Sequence, residues 1–132
     1  MNTAVDSSVI IAIIRREPSG AEWLDQLILA RERGSLLACE AVWAETRQLY
    51  SSREAHVEAM AEFGLQYSPL LAPAAALAGE IQKAYRKAGG KRDRLLVDFM
   101  VGAHALAQAD QLATCDNGFL RSYFRQLKIL AV

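Results

Sequence analysis

Short apolar segments alternate along this chain with longer stretches in which apolar residues recur at helical spacing. The candidate strands cover residues 2–5, 36–39, 65–71, 111–114 and 128–131, and candidate helices lie between them. Such alternation predicts βαβ units, in which parallel strands form a central sheet covered by helices on both faces. The 132 residues contain no internal repeat or interdomain linker, so we expect one α/β domain over residues 1–132.

Capping and helix-breaking residues set the expected ends of the helices. Ser7 or Ser8 can cap a first helix that Pro18 ends, and Ser19 can cap a second helix that Gly34 ends. The other helices are predicted over residues 40–50, 53–63, 73–87, 98–109 and 117–124. The first two helices carry more apolar side chains than a small sheet can cover. They form either buried core, a groove for a partner helix or a self-association face.

The charge balance limits the kinds of partner that the chain can bind. Fifteen Lys and Arg residues balance fifteen Asp and Glu residues, which argues against broad, nonspecific binding of nucleic acid. A local basic patch beside an acidic site remains compatible with this balance. Two clusters are candidates for such a patch: Arg86, Lys87, Lys91, Arg92 and Arg94, and then Arg121, Arg125 and Lys128.

The sequence predicts a cytoplasmic protein that does not contact a membrane. No apolar run reaches the roughly 20 residues of a membrane span, and the N-terminus lacks the features of a signal peptide. Neither Cys39 nor Cys115 has the spacing to other cysteines or histidines that is typical of a zinc site. We expect both cysteines to be reduced, buried thiols.

Four acidic residues are placed where a strand or helix can direct them to one cleft. Asp6 follows the first strand, Asp116 ends the fourth strand, Asp98 opens a helix and Glu45 lies within the third helix. In parallel sheets, sites form outside the carboxyl ends of the strands. Carboxylates gathered without thiols or a histidine pair favour Mg²⁺ or Mn²⁺. A cation held in this way suits phosphodiester hydrolysis.

Each acid also has a purely structural interpretation. Asp6 can cap the first helix, Asp98 can be a helix-terminal charge, Asp116 can form an Asx turn, and Glu45 can be solvated. The combination favours a site, because Glu45 and Asp98 fall among apolar and small residues where an unpaired carboxylate is costly. His104 lies on an apolar helical face, which is typical of a core histidine.

The sequence around these acids resembles the PIN-domain nucleases, and within them the VapC toxins of toxin–antitoxin pairs. The matching segments are 5–11, 44–46, 97–105 and 112–119, which contain Asp6, Glu45, Asp98 and Asp116 respectively. The resemblance implies a three-layer α/β/α sandwich with a short, mostly parallel sheet. It also implies that the four acids bind one or two Mg²⁺ or Mn²⁺ ions, and that the protein cleaves tRNA or ribosomal RNA.

The resemblance extends to supporting residues and to partners. Ser8 and Thr114 match hydroxyl positions near the metal pocket, and toxins of this kind bind an antitoxin and commonly form dimers. Some members carry a further acid after the fourth aspartate, where this chain has Asn117. We expect Asn117 to support the site with its amide. Arg92 and Arg94 precede Asp98 and are candidates for contacts with substrate phosphates, although a solvated loop explains them equally well.

Other classes of protein fit the sequence less well. A haloacid-dehalogenase-type phosphotransferase needs a second acid two residues after Asp6, where this chain has Ser8. A receiver domain needs an earlier strand and an acidic pair before its phosphorylated aspartate. A non-catalytic RNA- or protein-binding module remains the alternative, although the sequence offers no aromatic stacking platform.

Overall fold

A single parallel sheet organises the part of the chain that the structure describes. The computed structural model describes residues 1–91 and 94–132, with the backbone alone at Asn117. The strands are β1 (Thr3–Val5), β2 (Leu36–Ala38), β3 (Leu65–Tyr67), β4 (Gln111–Ala113) and β5 (Ile129–Leu130). Their spatial order is β3-β2-β1-β4-β5, and every neighbouring pair is parallel. The predicted α/β class and parallel sheet are confirmed.

Seven helices connect the strands within the described residues. They are α1 (Ser7–Ile14), α2 (Gly20–Arg33), α3 (Glu40–Arg47), α4 (Arg53–Phe63), α5 (Ala72–Lys87), α6 (Leu96–Gln108) and α7 (Asn117–Tyr123). Among the described residues, no helix has the length and apolar character needed to cross a bilayer.

The strand order creates a crevice beside β1. The chain moves outward from β1 to β2 and β3, and then crosses to β4 and β5 on the other side of β1. Because parallel crossovers are right-handed, these two movements place α1–α4 on one face and α5–α7 on the other. Contacts of α1 with α2 and α3, and of α5 with α6, hold these layers together. The connections after β1 and β4 therefore diverge, which is where α/β sheets form binding crevices.

Local sequence signals explain the helix ends. Ser52 caps α4, since its Oγ accepts a hydrogen bond from the backbone N–H of Ala55 at 3.1 Å. Gly64 ends α4 with a φ of 78°, a left-handed conformation that glycine adopts without strain. Pro73 lies in the first turn of α5, where its missing N–H costs no helical hydrogen bond.

Some predicted boundaries were wrong. The third helix was expected to reach residue 50 but ends at Arg47, because the next three N–H groups bond three residues back and tighten the last turn. Asp98 does not open α6, which begins at Leu96. Asp116 lies beyond the end of β4, at the N-terminal cap position of α7. Cys39 is buried as expected, but Cys115 is exposed.

Close contact between α1 and α2 depends on a glycine. A Cβ atom at Gly20 would lie 2.6 Å from the backbone oxygen of Ala12, a distance that side chains do not tolerate. The absence of a side chain lets α2 approach α1 and bury Trp23 and Leu27. The largest buried side chains of the core also include Phe99, Phe124, Ile10 and Leu36.

Two histidines are buried, and each lies within hydrogen-bond distance of a hydroxyl group. The Nε2 atom of His56 lies 2.9 Å from Thr46 Oγ1, and that of His104 lies 3.0 Å from Ser68 Oγ. Burial lowers the pKa of His56, and the charge of Arg47 lowers it further. Burial also lowers the pKa of His104. The prediction that His104 is a core histidine is confirmed.

Acidification below pH ~6.5 is expected to destabilise the fold through these histidines. A base whose pKa is lowered by folding binds its proton more readily when unfolded, so its stabilising contribution is lost as the pH falls below the ordinary value of 6.5. The measurement is the free energy of unfolding from pH 7.5 to pH 5 for the wild type and for His56→Gln/His104→Gln. The wild type should lose more stability than the variant on acidification, and parallel curves would contradict the assignment.

Candidate active site

Hydroxyl groups tie Asp6 to the chain that follows β4. The Oδ2 atom of Asp6 accepts hydrogen bonds from Ser8 Oγ at 2.7 Å and from Thr114 Oγ1 at 2.9 Å. Ser8 Oγ in turn accepts from the Cys115 N–H at 3.1 Å, and Thr114 Oγ1 accepts from the Asp116 N–H at 3.0 Å. Both hydroxyls therefore bridge the carboxyl ends of β1 and β4 and set the position of Asp6 between them.

Asp6 is half-buried, and its hydrogen bonds only partly compensate the charge of its carboxylate. It occupies the cap position of α1, but among the described residues its side chain makes no capping hydrogen bond to that helix. Burial raises the pKa of Asp6, and the nearby charge of Asp98 raises it further, while the Ser8 and Thr114 hydrogen bonds oppose the shift. The carboxylate is thus held in an environment that favours either protonation or a cation.

Glu45 is half-buried beside this group. Its Oε1 atom accepts a hydrogen bond from Ser7 Oγ at 3.1 Å, which links α3 to the start of α1. Burial raises the pKa of Glu45, and the charges of Asp6 and Asp98 also raise it. This glutamate is therefore within electrostatic reach of both aspartates and is not a solvated surface residue.

Asp98 combines a helix-terminal position with a place in the pocket. Its Oδ2 atom accepts a hydrogen bond from the Leu95 N–H at 2.9 Å, at the start of α6. The structural interpretation of Asp98 as a helix-terminal charge is therefore correct. Asp98 nevertheless lines one small surface pocket together with Asp6, Asp116, Val101, Phe119 and Leu120.

Arg94 forms an ion pair with Asp116 at the edge of this pocket. Its Nη1 atom bonds Asp116 Oδ2, and the guanidinium lies over the Phe119 ring at 4.1 Å from the ring centroid. The Arg94 and Asp116 side chains are 29% and 41% exposed, so solvent weakens the pair. Arg94 was predicted either to contact substrate phosphate or to lie in a solvated loop, and its pairing with Asp116 was not predicted.

The donor chemistry fits a hard divalent cation, although the carboxylates still have internal partners. Like charges that raise the pKa of Asp6 and Glu45 would be offset by such an ion. Within residues 1–91 and 94–132, no three acidic, histidine or cysteine side chains converge closely enough to form a ready metal site. Asp98 accepts a hydrogen bond from the Leu95 N–H, and Asp116 is paired with Arg94.

The remaining predicted site residues differ in what the structure describes. Arg92 and the Asn117 side chain lie outside the described residues. Ser7 was not predicted as a site residue, although its hydroxyl holds Glu45. Its position directly after Asp6 is the only signal in the sequence. Phe119, whose ring contacts the Arg94 guanidinium, was also not predicted as a site residue. An apolar residue in a short helix is usually interpreted as part of the core.

Comparison with known proteins identifies the family. The family model described as "PIN domain" matches residues 3–125, so the chain belongs to the PIN domain family. No curated protein matches the chain at a significant level.

Several solved structures contain chains with the same fold. One is VapBC2 from Rickettsia felis bound to a promoter DNA fragment, with a TM-score of 0.76 and 17% identity over 99% of this chain and 98% of that chain. VapBC-1 from nontypeable Haemophilus influenzae has a TM-score of 0.73 and 16% identity, covering 99% of this chain and 98% of its own. FitAcB from Neisseria gonorrhoeae has a TM-score of 0.65 and 22% identity, covering 97% and 96%.

Proposed function

We propose that this PIN-domain protein is an Mg²⁺- or Mn²⁺-dependent endoribonuclease. Its function would be that of the toxin in a VapBC-type pair, which cuts tRNA or ribosomal RNA in the cytoplasm and stops translation. The observation that carries the proposal is the pocket shared by Asp6, Asp98 and Asp116 at the crevice between β1 and β4. Membership of the family and the fold shared with toxin–antitoxin complexes support it.

Three of the four acids would bind the metal ion, and the fourth would accept a proton. Asp6, Asp98 and Asp116 would hold the cation, and Ser8 and Thr114 would keep Asp6 oriented through their hydrogen bonds. A bound cation supplies an acidified water and offsets charge on the scissile phosphate. Glu45 would orient the attacking water and accept its proton, because a raised pKa brings a glutamate closer to neutral pH.

An exposed apolar surface on α1 and α2 is where we expect the antitoxin to bind. Ile14, Leu24 and Ile28 are each at least 40% exposed, and Ile13 and Leu24 line a groove with Pro18. Leu24 and Ile28 are four residues apart and share one face of α2. An amphipathic antitoxin helix would cover this face, in a toxin–antitoxin hetero-oligomer or together with a homodimer contact. We further propose that residues 1–132 act as one nuclease domain.

A non-catalytic RNA- or protein-binding module is the second candidate function. The Arg94–Asp116 ion pair favours this second function, because the guanidinium of Arg94 already neutralises the carboxylate of Asp116 where a metal ion would bind. Such a module would bind its partner equally well with and without divalent metal, and it would tolerate the loss of Asp98.

The test is cleavage of end-labelled total tRNA and ribosomal RNA by the purified, antitoxin-free protein. The protein is assayed with Mg²⁺ or Mn²⁺, with EDTA, and as the variants Asp98→Asn and Asp25→Asn. Asp25 is an exposed acid on α2 and serves as the matched control. Cuts that need metal, disappear in Asp98→Asn and persist in Asp25→Asn are expected. RNA binding without any cutting would support the binding module.

Replacing Arg94 with glutamine is expected to tighten the binding of Mn²⁺. The variant frees Asp116 from its ion pair, and a pair this exposed is worth about 0.2–1 kcal/mol, so the affinity should rise by up to about fivefold. Titration calorimetry with Mn²⁺ measures the change, with the exposed Arg121→Gln as the control for net charge. Equal or weaker binding by Arg94→Gln would show that the pair does not compete with metal.

A further inference from the structure

An aromatic and basic pocket lies between α3, α4 and the end of β3. We call it the Trp43–Tyr67 pocket. Its lining includes Glu40, Trp43, Arg47, Arg53, Val57 and Tyr67. The proposed nuclease chemistry does not use these residues.

Two aromatic rings form one wall of the pocket. The Trp43 and Tyr67 rings meet edge to face, with centroids 5.3 Å apart and planes at 71°. Trp43 also packs against the ring of the buried His56 at 5.1 Å, which holds the half-buried indole in place. Tyr67 is 50% exposed and Val57 is 49% exposed, so an apolar, partly aromatic surface remains open to solvent. A flat ring could stack on such a surface without requiring the protein to rearrange.

Two arginines stand beside these rings. Arg53 is exposed at the first position of α4, and Arg47 is half-buried and donates a hydrogen bond to the Tyr50 carbonyl at 2.9 Å. The one carboxylate in the lining belongs to Glu40, whose oxygens accept from the Leu70 N–H at 2.9 and 3.3 Å. The open part of the pocket therefore carries a net positive charge. Exposed aromatic rings next to arginines are the combination that binds single-stranded nucleic acid, by stacking on bases and pairing with phosphates.

The position of the pocket relative to the carboxylates suits one continuous strand of RNA. Glu45 and Trp43 are two residues apart on α3, so their side chains lie on different faces of that helix, and Ala44 between them lines the pocket. Tyr67 ends β3, and Asp6 follows β1, which is two strands away in the sheet. Two strand spacings are about 10 Å, so nucleotides close to the scissile phosphate would reach the pocket.

The geometry points to the Trp43–Tyr67 pocket as a subsite for an unpaired base and its phosphate, on the RNA strand that the carboxylates cut. This inference rests on the proposed nuclease function and adds a requirement for an unpaired nucleotide near the cleavage point. Trp43 and Tyr67 would contact the base, and Arg47 and Arg53 would contact the phosphates.

Binding of a short single-stranded oligoribonucleotide in EDTA tests the subsite without cleavage. Trp23 is 1% exposed, so quenching of tryptophan fluorescence would report on Trp43. Saturable quenching is expected in the wild type and should be absent in Trp43→Phe. Because stacking is typically worth ~1–3 kcal/mol per base, Tyr67→Leu should weaken binding, measured by anisotropy of a labelled oligonucleotide, at least about fivefold.

The arginines are tested by the salt dependence of the same binding. Arg47→Gln/Arg53→Gln should reduce the slope of log affinity against log salt by about 1.4, since each phosphate contact of a single strand contributes ~0.7. The matched control is Arg15→Gln/Arg33→Gln, which removes two exposed arginines that lie outside the pocket and outside both basic clusters. An unchanged slope, an absence of quenching, or quenching caused by self-association without RNA would each overturn the subsite. These results do not depend on cleavage, so they are distinct from a failure of the proposed nuclease activity.

Discussion

Asp6→Asn is expected to abolish RNA cleavage and at the same time to make the protein harder to unfold. The pKa of Asp6 is raised by burial and by the charge of Asp98, so the folded state at neutral pH carries an unfavourable charge. Removing that charge should raise the free energy of unfolding by about 0.5–2 kcal/mol, as stabilising substitutions at functional sites do. Loss of a residue that only hydrogen-bonds a metal ligand typically lowers activity roughly 10–100-fold. Because Asp6 would itself be a metal ligand, the rate of cleavage should fall by more than this.

The two effects are measured on the same preparation, by urea unfolding at pH 7 and by single-turnover cleavage. In the Asp6→Asn variant, the amide oxygen can still accept the hydrogen bonds from Ser8 and Thr114, so the network that joins β1 to β4 need not be lost. The solvated Asp25→Asn should change neither quantity. A variant that loses activity because it is less stable would contradict this assignment of Asp6.

Phe99→Ala should produce the largest loss of stability, about 3–5 kcal/mol, as expected for removing a buried phenylalanine side chain. Phe99 is fully buried in α6, directly after Asp98. Its ring packs against Tyr85 and Phe119, with both centroids 5.4 Å away. The substitution would leave a cavity next to Phe119. Because the Phe119 ring packs against the Arg94 guanidinium, this cavity would also loosen the edge of the carboxylate pocket. Cleavage should therefore decline even at temperatures where the variant remains folded.

Chemical denaturation of Phe99→Ala and Phe99→Leu tests this role of the aromatic cluster. Leucine fills most of the space, so it should cost less than about 1.5 kcal/mol. A loss below about 1 kcal/mol in Phe99→Ala would mean that the ring is not needed to support α6 and α7.

Much of the fold follows from signals that are local in the sequence. The strands and helices are marked by apolar periodicity and by residues such as Ser52, Gly64 and Pro73, which act within one turn of their own positions. Asp6 and Asp116 were predicted because parallel strands bring their carboxyl ends to one edge of the sheet, and Asp98 because it lies at the start of a helix among apolar residues. Their roles as metal ligands remain a prediction.

The contacts that complete the site connect residues far apart in the chain, and periodicity does not report them. Ser7 bonds Glu45 across 38 positions, and Arg94 pairs with Asp116 across 22. The aromatic pocket arises in the same way, because Trp43 and Tyr67 belong to α3 and β3 and meet only when these elements pack. An aromatic stacking surface was therefore not predicted from the sequence. Cys115 was predicted to be buried but is exposed, because β4 ends at Ala113 and leaves Cys115 outside the sheet.

The ends of the RNA products provide the most direct measurement of the central claim, that the carboxylate pocket directs water to a phosphodiester bond. Purified protein is incubated with end-labelled RNA and Mn²⁺, and the fragments are analysed for their terminal groups. Attack by water predicts 5′-phosphate and 3′-hydroxyl ends that form only with metal and are absent with Asp6→Asn. Fragments with 2′,3′-cyclic phosphate would show attack by the 2′-hydroxyl of the RNA and would contradict this mechanism.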